Sequence, residues 1–402
     1  MLNGRRQKTR VLLSRCRVVQ PPFVKAHFAR SGLTFVFHMT RTTTQITFPP
    51  EDDNFYADLK KEVTNYFKSR GITHHGNRRM HLKMLLLFAV YFGAYGILLF
   101  SSTPWLMWGC FATLGFWSVF LGLNVGHDAV HFALFKNRSL NRWFMHVFDL
   151  LGLSSYNWKK RHVGGHHIFP NIIHHDPDIQ QTRVVKIFPQ DEHRSMYKYQ
   201  WLYMPLIYAI FTLRWVFYRD FKDILSKRIG GVDNRPYPPV EVVKIVLFKI
   251  GYLTLMLAIP CWSTGLSFGE IVLGFLILQF CASLTMTVVL LSAHIDEHSH
   301  FPEPDDNGVM PHSWAKHHML TTSDYATESF WVTHLLGGIN HHVIHHLFQH
   351  VCHIHYPSLT RILKKVADQH DVPYRSSKYF LPAMRSHFRL LYQNGQNAPL
   401  KG

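Results

Sequence analysis

Long apolar blocks alternate with polar, basic stretches along this chain, and the blocks predict its main elements. Four of them, at about 82–101, 105–125, 242–262 and 268–292, are almost free of charge. Each approaches or exceeds the ~20 apolar residues that a helix needs to cross a bilayer. They form two pairs, one turning at Ser101-Ser102-Thr103-Pro104 and the other at Ser263-Thr264-Gly265, and neither turn carries Lys or Arg. The rest of the chain carries many. The positive-inside rule then puts both termini, residues 126–240 and residues 293–402 on the cytoplasmic side. The predicted class is an all-α integral membrane protein: four transmembrane helices in two hairpins, with a cytosolic helical cap.

Shorter patterns fill in the rest. Trp201 to Tyr218 is apolar but interrupted by Pro205 and Arg214, which predicts an interfacial or re-entrant helix, and residues 139–156 read similarly. Pro49-Pro50-Glu51-Asp52-Asp53 reads as a helix start, with acids suited to the positive end of the dipole. Phe55, Leu59, Val63, Tyr66 and Phe67 make the apolar stripe of that helix, and Gly71 its stop. Residues 1–43 are a basic tail: a targeting segment, disordered tail, or sequence upstream of a start at Met39. Residues 44–393 then form the membrane domain and 394–402 a second tail.

Charge changes this picture little. A net charge of +18 would suit nucleic acid, but no nucleic-acid-binding motif accompanies it. Cytoplasmic loops facing anionic lipid headgroups account for the basic excess, and a negatively charged substrate head is compatible with it. The five cysteines are scattered without a C-x-x-C pair, so neither a disulfide framework nor a thiolate zinc site is indicated.

Histidine changes it a great deal, because 30 histidines outnumber the 25 Asp plus Glu. Nine fall in four groups just outside the predicted spans: His127 and His131; His162, His166 and His167; His294; and His342, His345 and His346. On a helix, His127 and His131 share a face, as do His162 and His166. His167 is turned about 100° from His166, which suits reaching a second metal. Topology places all nine on one side of the membrane. A lone H-x-x-x-H is more often two surface histidines than a site, whereas four groups at matching ends of two hairpins point to metal. Nine ligands exceed what one ion takes, so two metals are the economical count.

All-imidazole ligation suits Zn, Cu, Fe or Ni. A catalytic zinc needs only three protein ligands. Two redox-active irons would instead attack the C–H bonds that dominate lipid chains. A metal transporter is the non-enzyme alternative, but it needs ionisable groups inside the spans, where Gln279 is the main polar exception.

The motifs resemble those of the membrane fatty acyl desaturases and related hydroxylases, most closely the linoleoyl-CoA-type front-end desaturases. Gly126-His127-Asp128-Ala129-Val130-His131 with Lys136-Asn137, and Trp158-Lys159 leading to the second group, carry the likeness. So do Asn171 with Asp176-Pro177-Asp178-Ile179, Ala293-His294 with His300-Phe301-Pro302, Gly337-Gly338-Ile339-Asn340 before the last group, Leu347-Phe348, and His353-Ile354-His355-Tyr356-Pro357. Together they cover roughly residues 44 to 393. The resemblance implies a non-haem centre of two Fe ions held by the nine histidines, with O2 as cosubstrate and an acyl-CoA or lipid-linked acyl chain as substrate. A hydroxylase or sphingolipid desaturase of the same fold would use the same ligands. The chain contains no His-Pro-Gly-Gly haem-binding segment of a fused cytochrome b5, so a separate donor of cytochrome b5 or ferredoxin type is implied. His342 stands where front-end members usually carry Gln, Val163 where they carry Asn, and Ile344 and Gln349 where they carry Glu and Pro. The subtype therefore stays open.

Candidate supports for the ligands are Asp128, Asp176, Asp178, Asp296 and Glu297, because metal-bound imidazoles commonly donate their second N–H to a carboxylate. His341, His174, His175, His298 and His300 read as outer or surface groups. Lys159, Lys160 and Arg161 read as cytoplasmic-face cations that could meet CoA phosphates.

Overall fold

The computed structural model describes residues 46–179 and 182–396. The expectations for residues 1–43, and all but the first part of 394–402, lie outside this range. Among the described residues helices dominate, with two short strand pairs (Arg228–Ile229 with Val232–Asp233, and Asp324–Tyr325 with Ser376–Ser377).

Helix α1, Phe55–Arg70, follows its predicted pattern. Asp53 accepts the Phe55 N–H at 2.9 Å, Phe55, Leu59 and Val63 are buried, and Gly71 closes the helix at φ 59°. Among the described residues, four helices are long and apolar enough to cross a membrane: α2 Arg78–Leu99, α3 Pro104–Val130, α6 Pro239–Thr264 and α7 Phe268–Leu291. All four coincide with predicted spans. Their starts have local causes, with the Asn77 side chain capping α2, Pro104 opening α3, and a Ser267/Glu270 capping box starting α7.

α3 and α7 form the centre, where half of each apolar stretch is buried, against about a fifth in α2 and α6. Gly115 and Gly274 allow this closeness. A Cβ on Gly115 would lie 2.4 Å from the Leu278 carbonyl, and one on Gly274 would lie 2.2 Å from the Phe111 ring. Such small residues at helix crossings are what packing within lipid selects. The outward residues of α2 and α6, among them Leu82, Leu86, Val243 and Leu247, are large, apolar and exposed.

α3 does not stop at the end of its apolar stretch. It passes through a π-turn at Gly122–Gly126 and carries on to Val130, so the first histidine pair rides on the same helix. Asn124 pins the turn by donating to the Phe120 and Leu335 carbonyls, both at 2.8 Å. π-turns of this kind gather at functional sites. The remaining site elements are α4 Ser155–Arg161, the broken helix α5 over 200–225, α8 Trp314–Thr321, α9 His342–Leu347, α10 Tyr356–Gln369 and α11 Phe380–Gly395.

The segment predicted as an interfacial helix is broken at Ile210, where the Thr212 N–H turns to the Ser283 hydroxyl of α7 at 2.9 Å. Residues 139–156 become two short helices, Arg138–Phe144 and Val147–Leu150, ended by Gly152 at φ 83°. An apolar core outside the spans joins α1 to α8, α9 and α10 through Phe55, Leu59, Met319, Val343, Leu359 and Leu363. It holds the last histidine group in place.

Candidate metal centre

Four structural units deliver the nine histidines. The extension of α3 brings His127 and His131, and the end of α7 brings His294. α9 brings His342, His345 and His346. The second group is delivered by α4, which Ser154 caps by accepting the Asn157 N–H, and which ends in a π-turn at His162–His166. α4 is fixed from below by the buried Asp220 carboxylate, which accepts from the Ser154 N–H and Asn157 Nδ2 and pairs with Lys249 at 2.6 Å.

All nine are buried. Eight form two groups, each with ring nitrogens within 4.8 Å of one another: His127, His131, His162 and His345, and His166, His294, His342 and His346. Either group could hold a metal ion. His162 and His166 share a face as expected, with rings stacked 5.4 Å apart, yet they belong to different groups. His167 sits between the groups, its Nε2 3.1 Å from that of His162 and its ring stacked 4.3 Å from His346.

The nitrogens that converge are Nε2 atoms. His127 meets His162 at 3.1 Å, His166 meets His294 at 2.9 Å, and His342 meets His294 at 2.6 Å and His346 at 3.2 Å. Neutral imidazoles pair as one donor and one acceptor, so three or four converging Nε2 atoms cannot all be satisfied. Both nitrogens of His131, and Nε2 of His345, have no hydrogen-bond partner although buried. Burial first, and neighbouring imidazoles second, hold His131, His294, His342, His345 and His346 well below the ordinary histidine range. Neutral imidazole is the metal-binding form. A donor set of this kind fits metal and fits no arrangement of imidazoles alone.

The outward Nδ1 atoms have fixed partners. His162 Nδ1 lies 3.0 Å from Asp178, and His166 Nδ1 lies 2.9 Å from Asp176. His294 meets the Thr321 carbonyl at 3.2 Å, and His345 meets the Tyr356 hydroxyl at 2.9 Å. His346 Nδ1 meets His318 Nδ1 at 3.1 Å. Such outer contacts fix tautomer and ring orientation. Against the cost of burial, the His162 hydrogen bond and nearby cations pull Asp178 down to about 2. Burial would lower His166, but the Asp176 charge outweighs it and raises that ring. The Pro177 carbonyl between the two acids accepts from both Arg161 and Arg219.

Only two of the five expected carboxylates support ligands. Asp128 turns away from the groups to His353 Nδ1 at 2.8 Å and the Cys352 thiol at 2.9 Å. Asp296 binds Ser299 and Ser323, while Glu297 binds Ser386 and Arg389. These three acids brace loops. Asp128, Cys352 and His353 would also fit a cation by spacing alone. The Lys83 ammonium, 2.6 Å from His353 Nε2, opposes one there. Arg161 is no exposed phosphate ligand, being buried against Asp223 with two contacts of 3.0 Å. His174, His298 and His300 are exposed and His175 half-buried, while His341 is buried between Thr333 and Thr360.

His318 and Tyr356 are the residues that sequence reasoning passed over. Tyr356 stood inside a quoted motif, but its hydroxyl role depends on α10 folding back to α9. His318 carried one local signal, the tandem His317-His318 on α8.

A family model described as Fatty acid desaturase matches residues 102–378, a span that contains every one of the nine histidines. The chain belongs to the fatty acid desaturase family. Its members are oxidoreductases. The desaturase is 31% identical over 345 residues to the sn-1 linoleoyl-lipid 6-desaturase of Synechocystis sp., covering 85% of this chain and 96% of that one. It is 31% identical to the acyl-lipid (8-3)-desaturase of Physcomitrium patens, over 86% of this chain and 72% of the relative. It is 29% identical to acyl-lipid (8-3)-desaturase B of Dictyostelium discoideum, over 86% and 77%.

Proposed function

We propose that this desaturase inserts a double bond into a lipid-linked acyl chain, using O2 at two irons held by the nine histidines. The observation that carries the reading is the pair of adjacent four-imidazole groups with inward Nε2 atoms and outward, hydrogen-bonded Nδ1 atoms. When bound, the iron pair would supply the redox chemistry that removes two hydrogens from an unactivated chain. His127, His131, His162 and His345 would hold one ion, and His166, His294, His342 and His346 the other, with His167 placed to serve either. Asp176, Asp178, Tyr356 and His318 keep the rings aimed, and the apolar walls exclude water from the reacting chain.

The acyl chain would enter along an apolar lining that widens to receive it. A narrow apolar pocket, lined by Trp158, Leu123 and Met286 and by Tyr91, Tyr252 and Gln279, runs between the helices. At its upper end Trp158 packs 5.6 Å from His162 and stacks on Phe148 at 4.6 Å. A lipid-linked substrate is favoured over acyl-CoA by the names of the relatives, and front-end regiochemistry is adopted on the same ground. The proposed topology is two hairpins, α2–α3 and α6–α7, with both termini and the histidines on the cytoplasmic side. A separate cytochrome b5-type or ferredoxin-type protein would deliver two electrons per double bond.

Expression in a host of defined lipid composition, followed by fatty acid methyl ester analysis, tests the reading. A new double bond supports it, and no new double bond with any supplied chain overturns it.

A further inference from the structure

The cavity is mostly apolar, and its one linked cluster of polar side chains lies about halfway along α7. Gln279 Nε2 donates to the Tyr252 hydroxyl at 2.8 Å, and Gln279 Oε1 accepts from Thr212 Oγ1 at 2.7 Å. Thr212 Oγ1 also meets Ser283 Oγ at 2.8 Å. Tyr252, Gln279 and Thr212 all line the cavity. Polar side chains in a span are costly and normally mark function.

Counting hydrogens decides what these groups offer. The Gln279 amide and the Tyr252 phenol bring three hydrogens, and a single contact joins them. With the amide oriented as above, two of those hydrogens face no partner within the cluster. With the amide turned over, the phenol donates to Oε1 and one N–H goes to Thr212, which still leaves one over. In either orientation the cluster keeps a spare donor on the cavity wall, well away from the unpartnered Trp158 Nε1 at the histidine end. A saturated chain would leave that donor unpaired, whereas the π face of a double bond accepts a weak hydrogen bond.

Depth fits the same occupant. The cavity touches α3 at Leu123, four residues before His127, and extends to Ser118, nine before it, about 13 Å along the helix. Gln279 lies about 18 Å from the histidine-bearing end of α7. A chain reacting at the histidines would lay a more distal carbon against the polar wall.

Resting on the acyl-desaturase reading, we propose that Tyr252, Gln279 and Thr212 are specificity determinants that select chains already carrying a cis double bond beyond the reacting carbons. They are positioning residues for the distal chain and touch no metal ligand.

The test compares wild type with Tyr252→Phe, Gln279→Leu and the double variant. Lipids bearing 18-carbon chains with no, one or two cis double bonds, or a mid-chain hydroxyl, are added to purified protein in detergent. Wild type should be stabilised more by the diene chain than by the saturated one, and the double variant should lose that difference in Tm. In turnover, the diene-to-saturated conversion ratio should fall about five-fold in the double variant. The proposal is overturned if the variants keep the wild-type preference, if wild type shows none, or if the hydroxylated chain stabilises wild type more than the diene. Failure of the desaturase reading looks different: no product forms from any chain, while the Tm comparison still reports on the cavity.

Discussion

The two histidine groups have similar composition and different support. In the group of His166, His294, His342 and His346, three Nδ1 atoms are held by outer partners, and the carboxylate among them, Asp176, is wholly buried. In the group of His127, His131, His162 and His345, two are held, and Asp178 is a quarter exposed. The Nδ1 atoms of His127 and His131 lack partners, so the α3 helix and packing against His162, His167 and His345 aim these rings. One site thus has three of its four rings fixed by outer hydrogen bonds, and the other two of four. Preorganised rings lose less entropy on binding metal. The group on Asp176 should therefore grip its ion more tightly, leaving the α3 group as the more labile position.

Removing a ligand from either side should erase the difference between the groups. His166→Ala and His345→Ala are each expected to cut desaturation at least about 100-fold, with membrane insertion unchanged. Methyl ester profiles and membrane fractionation read both quantities, and retained activity would remove that residue from the site.

Changing the outer acids should sharpen the contrast. Asp176→Asn is expected to weaken iron retention by about 10- to 100-fold, and Asp178→Asn by less. Asp176 also accepts from the backbone N–H groups of Asn171, Asp178 and Ile179, so its loss frees the loop as well as the ring. Iron left after graded chelation would measure the order, and equal losses would remove the asymmetry. His318→Leu should come next, with about a 10-fold loss of iron retention partly restored by His318→Gln, which keeps a hydrogen-bonding group near His346.

The smallest expected effect concerns the scaffold beside His294. His387 is buried, bonds the Ile295 carbonyl at 2.8 Å and the Tyr208 hydroxyl at 2.8 Å, and is pushed by burial down to about 4. Between about pH 6.5 and 4 the unfolded chain takes up a proton that the folded chain refuses. Stability should fall with falling pH across that window by about 1.4 kcal/mol per pH unit from this group. Denaturation of His387→Asn in detergent should show a correspondingly flatter profile, and an unchanged slope would contradict the assignment.

Much of this was legible in the sequence, and the reasons separate what was from what was not. The four spans, α1 and the nine histidines follow from periodicities within one element, which is information that a local stretch of chain carries. The division of His162 and His166 between groups does not, because it depends on which helix end packs beside each ring. For the same reason Asp128, Asp296 and Glu297 were expected at the ligands and instead brace loops through His353, Ser323 and Arg389. Adjacency in sequence suggests a ligand-supporting role for them, and tertiary packing turns them elsewhere. Tyr356 and His318 come to their ligands from separate helices, α10 and α8.

The central claim is that two neighbouring imidazole groups each hold one iron. Metal analysis of protein purified without chelator, with Mössbauer spectra of iron-57-loaded material, tests it most directly. The account predicts about two irons per chain in two distinguishable environments, the α3-side iron leaving first under chelation. One zinc per chain, or a single class of iron lost in one step, would contradict it.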